Sequence, residues 1–342
     1  MNHSLKSIVL AVCTLAAMPS LAADWTLADG PNTGAPGRKV DVKQGDRLVA
    51  RLIYGEGQFK PYLHVFGEAG ELLTNAGLDE SGKATGQFPH HRGIFIGWNK
   101  ITSDLGSHDL WHFNNGGHMV VKKFDQLEGG RDSAKIVATI EWRAGKKDGP
   151  LDASEPLLTE TRTLVISRPE GKRTQVDAHF KLVAARDLNL GGDLQHAGIH
   201  FRASNEVSTR NKESAYVTEK DWVVGAPKKG KDGKETPGAK DPAKGDLKWV
   251  RMTFPIGERW YAASEFNPPG NPVEELSWRD YGRFGFFFKK DLKKDQTLSV
   301  DYRFIIEPAD APAEKGKLSA DQVAKARTEA KARHEAAAKS LQ

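Results

Sequence analysis

The sequence predicts an all-β protein: a large two-sheet antiparallel β-sandwich with long loops and a C-terminal helix. Short apolar or alternating segments recur along most of the chain, each bounded by Gly, Pro, Asn or Asp turns. Helical periodicity is confined to the C-terminal tail. The strands are too numerous for a small immunoglobulin-like domain, so two large sheets packed face to face are expected. With 342 residues, 38% of them hydrophobic, the chain can bury a sizeable core.

The N-terminus reads as a signal peptide over residues 1–22. Lys6 supplies a positive region, residues 8–17 an apolar one too short to span a bilayer, and Ser20-Leu21-Ala22 small residues for cleavage near Ala22 or Ala23. The one cysteine, Cys13, lies inside this segment, so a mature chain has neither disulfides nor thiolate chemistry. No other run could cross a membrane, and the expectation is a periplasmic or secreted protein. Net charge is +5 with both signs interspersed, and no recognition helix, zinc finger or aromatic-basic strand appears, so nucleic acid is not an expected partner.

Residues 23–308 form the expected sandwich. The glycine- and proline-bearing stretch 24–38 reads as an irregular lead-in. Residues 39–43 and 47–54 read as a hairpin around Gln44-Gly45-Asp46, and 60–66 as a short strand returning through 71–73. Residues 75–87 and 99–117 read as long loops. Strands are expected over 94–98, 119–127, 134–142, 157–167, 173–184, 249–254, 259–265, 281–289 and 296–307, with His179 on a wet face. The Lys/Gly/Pro-rich stretch 227–248 reads as a solvated excursion. Residues 309–316 form a linker, and Ser319-x-x-Gln322 opens a capping-box helix to about Ser340, either docked on the sandwich or free of it.

Chemistry concentrates in three histidine clusters. Phe88-Pro89-His90-His91-Arg92-Gly93 runs directly into the buried strand ending at Trp98, so two imidazoles and a guanidinium sit at a rigid strand entry. In His196-Ala197-Gly198-Ile199-His200-Phe201-Arg202, an extended chain puts His196, Gly198, His200 and Arg202 on one face. His196 and His200 would then stand ~13 Å apart, too far to share a metal unless Gly198 marks a bulge. His108-Asp109-Leu110-Trp111-His112 approximates a zinc-protease helix, but the flanking glycines leave room for barely one turn and aspartate is short for that chemistry. A proline-rich loop, 267–272, leads to Trp278 and Tyr281, where Trp278 either covers a sugar face or plugs the core.

Pro61-Tyr62-Leu63-His64, Pro89-His90-His91-Arg92-Gly93, the Trp98 strand, Asp109-Leu110-Trp111, His196-x-Gly198-x-His200-x-Arg202 and the stretch from Asn267 through Asn271-Pro272 to Tyr281-Gly282 together resemble the PmoA-like family over about residues 41–307. Val65 and the absence of an Asp close before Pro89 depart from its pattern. That resemblance implies soluble exported β proteins. The methane oxygenase named in the label is an integral membrane protein, so its activity does not transfer to a chain without membrane spans.

The residues point first to a carbohydrate-active enzyme of lyase, hydrolase or epimerase type. His90, His91, His196 and His200 are its acid/base candidates, and Tyr62 and Tyr281 weaker acids. His64, Arg92, Trp98, Asp109, Trp111, His112, Arg202, Trp278 and Tyr281 are expected to hold a small or oligomeric saccharide, with the arginines suited to an anionic one. Two alternatives stay open: a divalent-metal protein using His90, His112 and His200, and a non-catalytic module binding a glycan or protein. Oligomeric state is not legible.

Overall fold

The computed structural model describes residues 24–79, 81–113, 116–145, 155–169, 172–193, 195–219, 224–229, 235–239, 247–272 and 275–341. The chain opens with β1 (Trp25–Pro31), β2 (Arg38–Gln44), β3 (Arg47–Tyr54), β4 (Tyr62–Val65) and β5 (Ile94–Trp98). A small hairpin, β6 (Ile101–Ser103) and β7 (Gly106–His108), precedes four long strands: β8 (His118–Gly129), β9 (Ser133–Ala144), β10 (Glu155–Ser167) and β11 (Thr174–Ala184). Then come β12 (Leu188–Leu190), β13 (Ala197–Arg202), the short helix α1 (Asn205–Thr209), β14 (Ala215–Thr218), β15 (Val224–Lys229) and β16 (Glu235–Ala239). The chain ends with β17 (Trp249–Ile256), β18 (Arg259–Phe266), β19 (Glu275–Arg279), β20 (Arg283–Phe287), β21 (Lys290–Leu292), β22 (Thr297–Pro308) and α2 (Ala320–Ser340).

These strands build the predicted β-sandwich. One eight-stranded sheet runs β1-β2-β3-β4-β5-β13-β20-β19, the other β14-β17-β18-β22-β11-β10-β9-β8. The neighbouring strands pair antiparallel, as β5 does with β13 and β11 with β22. Alternation explains the layering. Ile94 and Ile96 of β5, and Ile199 and Phe201 of β13, join the central core with Ile140, Trp142, Phe180 and Phe304 of the second sheet. Phe95 points the other way and packs with Ile53, Tyr62 and Trp111 in a separate cluster on the outer face of the first sheet. The long strands β9, β10 and β11 alternate buried and half-buried residues over most of their length, the pattern of sheets wet on one side.

Several expectations are corrected. The stretch 24–38 is not irregular: Trp25–Pro31 pairs residue for residue with β2, its glycine and proline sitting at a sheet edge where they are tolerated. The loop 99–117 contains the β6–β7 hairpin. Within 227–248, β15 and β16 form a hairpin, and residues 230–234 and 240–246 lie outside the described residues, as does the expected signal peptide. Among the described residues, no helix is long and apolar enough to cross a membrane.

Helix α2 docks on the sandwich. Ser319 and Gln322 form the capping box, with Ser319 Oγ accepting from Gln322 N at 3.1 Å. Ala326, Ala330 and Ala337 pack against Val217, Trp249, Phe266 and Ile305, the small side chains allowing close approach. Arg333 donates to both oxygens of Glu307 at 2.7 and 3.0 Å.

Candidate active site

The site lies on the outer face of the first sheet, where β5 and β13 pair at its centre. The loop entering β5 is tightly held. Gly93 has φ +56, and a Cβ there would meet Leu63 O at 2.4 Å, so a side chain is excluded. Asn75 donates through Nδ2 to His91 O at 2.6 Å. Arg92 donates through Nε to Pro89 O at 2.9 Å and through Nη1 to Gln58 Oε1 at 2.7 Å. These bonds aim His90 and His91 over the sheet.

A second loop, residues 109–113, covers them. Asp109 Oδ1 accepts from the backbone N–H of Trp111 and His112 at 2.9 and 2.8 Å, which forms a tight turn rather than a helix. Its Oδ2 lies 2.8 Å from His112 Nδ1. His196 is arranged alike, its Nδ1 2.9 Å from Asp193 Oδ1, while Asn99 Nδ2 donates to Asp193 Oδ2 at 2.8 Å. With a carboxylate accepting at Nδ1, each neutral imidazole presents Nε2 as a free acceptor.

The rings form a continuous series. Centroids lie 4.2 Å apart for His90 and His91, 4.6 Å for His90 and His112, and 4.8 Å for His112 and His196. Trp111, fully buried, sits beneath them, 4.8 Å from His200 and 6.3 Å from His196. Its Nε1–H donates to His91 Nε2 at 2.9 Å, which places the His91 proton on Nδ1. That Nδ1 and His90 Nε2 are buried without a hydrogen-bond partner among the described residues.

Burial sets the protonation. Desolvation, with Lys60, His112 and His196 nearby, pushes His90 down to about 3. Desolvation, then the Arg283 charge, holds His91 and His200 well below the usual imidazole range. Desolvation also lowers His196, against the pull of Asp193. Asp109 and Asp193 are held below the usual carboxylate range despite their burial, by the histidines and backbone N–H groups they accept from.

A family profile matches residues 39–321. The chain belongs to the family of unknown function DUF6807. Solved structures similar to this DUF6807 member include heparan sulfate lyase HepC from Pedobacter heparinus, 12% identical over 83% of this chain and 36% of that chain, with a TM-score of 0.37. The galactose mutarotase related enzyme from Lactobacillus acidophilus is 9% identical over 78% of this chain and 97% of that one, TM-score 0.38. The GalM/aldose epimerase homologue from C. elegans is 10% identical over 84% and 99%, TM-score 0.35. The DUF6807 chain spans 36% of the lyase's length. No curated protein matches it.

The expected residues in this DUF6807 member separate into two groups. His90, His91, His112 and His196 come together, with Asp109, Trp111 and Tyr281 around them. Tyr281 stacks with His91 at 6.2 Å and with Phe88 at 4.7 Å. His200 lies under the group, not in it. Its face was expected to be wet; Trp111 covers it, leaving no exposed surface. Its Nε2–H donates to Ala197 O at 2.7 Å and its Nδ1 accepts from Arg283 at 3.1 Å, so neither nitrogen is open to a substrate or a metal. His196 escapes that fate because Gly198, at φ +94, ends the regular alternation before it.

Other expectations are overturned by burial. Trp98 is core, with Trp142 and Phe288 against it and Nε1–H on Phe288 O at 3.1 Å. Arg202 donates to the carbonyls of Ala203 and Tyr281, and Arg92 to Pro89 O and Gln58, so neither is available to an anionic sugar. His64 is buried against Tyr62 and Phe66, its Nδ1 2.8 Å from Thr74 Oγ1, apart from the four imidazoles. Trp278 packs on Tyr216 at 4.9 Å as a plug. Among the described residues, no three His, Cys, Asp or Glu side chains are grouped to hold a metal ion.

Three contributors have no sequence signature. Lys60, only 3% exposed, lies 3.8 Å from the Phe95 ring centroid and within 5.5 Å of Trp111, its one long hydrogen bond reaching Trp111 O at 3.4 Å. Desolvation drives its amine well below the usual lysine range. Phe88 and Phe59 are large aromatics left 40% and 50% exposed at the edges of the group. Lys60 reads only as the first residue of the short strand 60–66, Phe59 as the residue before it, and Phe88 as the start of the His90 motif.

Proposed function

We propose that the protein is an enzyme acting on a saccharide by histidine acid/base chemistry. The observation behind this reading is the facing pair His112 and His196, each aligned at Nδ1 by its own carboxylate, with ring centroids 4.8 Å apart. A base oriented by a third group is the recurring form of proton-transfer sites. His196, held neutral by burial, takes a proton from a substrate hydroxyl. In its protonated form, with Asp109 bonded at Nδ1, His112 gives its Nε2 proton to a second substrate oxygen and returns to the neutral ring. His90 and His91 line the floor as neutral polar groups. A saccharide suits this chemistry because its protons move between neighbouring oxygens, while its C–H face can lie on Phe88.

The test is a saccharide library assayed for chemical change with wild type, His112→Gln and His196→Gln. Each variant should lose at least about a hundredfold in kcat, with unchanged circular dichroism and melting temperature. Full turnover in both variants overturns the assignment, and no turnover by wild type on any saccharide overturns the enzyme reading.

A further inference from the structure

Phe88 and Phe59 are the two large exposed aromatics beside the imidazole series. The Phe88 ring lies 6.2 Å from His90, His90 lies 4.6 Å from His112, and Phe113, the next residue, stacks on Phe59 at 5.9 Å with planes 17° apart. Among the described residues, Phe88, Phe113 and Asp295 are the non-glycine positions with positive φ, and the first two, at +55° and +63°, are these flanking aromatics. That conformation costs energy for a bulky side chain and persists where packing enforces it, commonly beside functional sites. Phe59 also lines a cleft of about 360 Å³ shared with His118, Met119, Val120, Lys122 and Arg143.

The cations around this surface are already committed. Arg143 and Lys122 both pair with Glu141. Arg283 donates to His200, Tyr281 and Ser277, while Arg92 and Arg202 hold carbonyls. Asp109 and Asp193, held below the usual carboxylate range, keep negative charge at the rim of the site. An anionic chain would meet carboxylates without free guanidinium partners, whereas an uncharged ring meets aromatic faces and hydrogen-bonding groups.

We propose that the site binds a chain of at least two uncharged pyranose rings, one seated on Phe88 beside the imidazoles and one in the cleft on Phe59. This deepens the saccharide reading above and rests on it. Phe59 is a specificity-determining residue for chain length.

Calorimetric titration of the full chain tests this, using cello-, xylo- and malto-oligosaccharides of one to six residues, with alginate oligomers as charged controls. In at least one neutral series, affinity should climb roughly tenfold between one and three rings. Phe59→Ala should flatten that climb without weakening the monosaccharide, and Phe59→Tyr should restore it. Affinity independent of length, equal weakening of the monosaccharide in Phe59→Ala, preference for alginate, or no binding in any series would each overturn the proposal. Length-dependent binding without chemical change removes the enzyme reading and leaves this inference standing. Turnover of a monosaccharide with KM indifferent to chain length does the reverse.

Discussion

Acidification should destabilise this protein well before its carboxylates titrate. His64, His91 and His200 are buried. Desolvation is the first cause of depression for each: His64 falls to about 3, and the other two fall well below the usual range. In the unfolded chain each returns to about 6.5. The sign follows: below pH 6.5 the unfolded state binds protons that the folded state refuses, so stability rises with pH and falls on acidification. From pH 7.5 to 5.0 each site costs about 2 kcal/mol, about 6 kcal/mol for the three, against a typical total of roughly 5–15 kcal/mol. His90 adds to the loss. His179, raised by its bond to Asp301, works in the opposite direction but is partly exposed and screened. Glu71, held near 2, stays ionised across this range. Urea unfolding followed by fluorescence of the buried tryptophans measures the effect, and His64→Gln should remove about one proton from the slope. A stability at pH 5.0 within about 1 kcal/mol of that at pH 7.5 would refute neutral burial of these rings.

Other perturbations separate scaffold from chemistry. Gly93→Ala should cost about 2–4 kcal/mol, because its Cβ would lie 2.4 Å from Leu63 O at φ +56; a melting temperature within a degree of wild type would contradict the loop geometry. Asp109→Asn should lower kcat about 10- to 1,000-fold with little change in KM, since it disturbs the tautomer and charge support of His112; an equal rise in KM alone would point to binding instead. Lys60→Met should stabilise the fold at pH 7. The unfolded lysine binds a proton that the buried amine resists, so wild-type stability should rise from pH 7 to 9 while the variant's stays flatter; parallel pH curves would show a charged Lys60.

The sequence carried the sandwich well where strands are long. In 174–184, alternation alone places His179 outward and Phe180 inward, as observed. It failed where pairing rather than pattern makes the strand: β1 ends in the turn-like Asp29-Gly30-Pro31, and β6, β7 and β12 are three residues each. For the site, alternation correctly opposed His200 to Ile199, but no local pattern reveals that Trp111, from a loop nearly ninety positions earlier, covers the presumed wet face. The same distance effect hides Lys60. A lysine at a strand start reads as exposed, yet its neighbours in space are Phe95, Trp111 and Phe113. Tryptophans were the natural sugar-stacking candidates by size; Trp98 and Trp111 are buried and Trp278 packs on Tyr216, so the large aromatics left exposed there are Phe88, at the start of the His90 motif, and Phe59.

The arrangement of charge gives the imidazole series a direction. Arg283 lies beneath His200 and Lys60 beneath the His112 loop, so the inner rings face positive or strongly desolvated surroundings. The carboxylates Asp109 and Asp193 lie only at the rim, on the two half-exposed rings. A proton entering from solvent is therefore most disfavoured at His91 and His200, while at the rim Asp193 offsets part of the desolvation of His196. Trp111 reinforces the barrier: its N–H bond to His91 Nε2 exists only while that nitrogen is unprotonated. Protonating His91 would break this bond and loosen the tryptophan between two residues of the Asp109 turn, which positions His112. Because the folded state holds His91 well below the usual imidazole range, this bond survives mild acid, and disorder of the rim through its floor should coincide with unfolding of the sandwich rather than precede it.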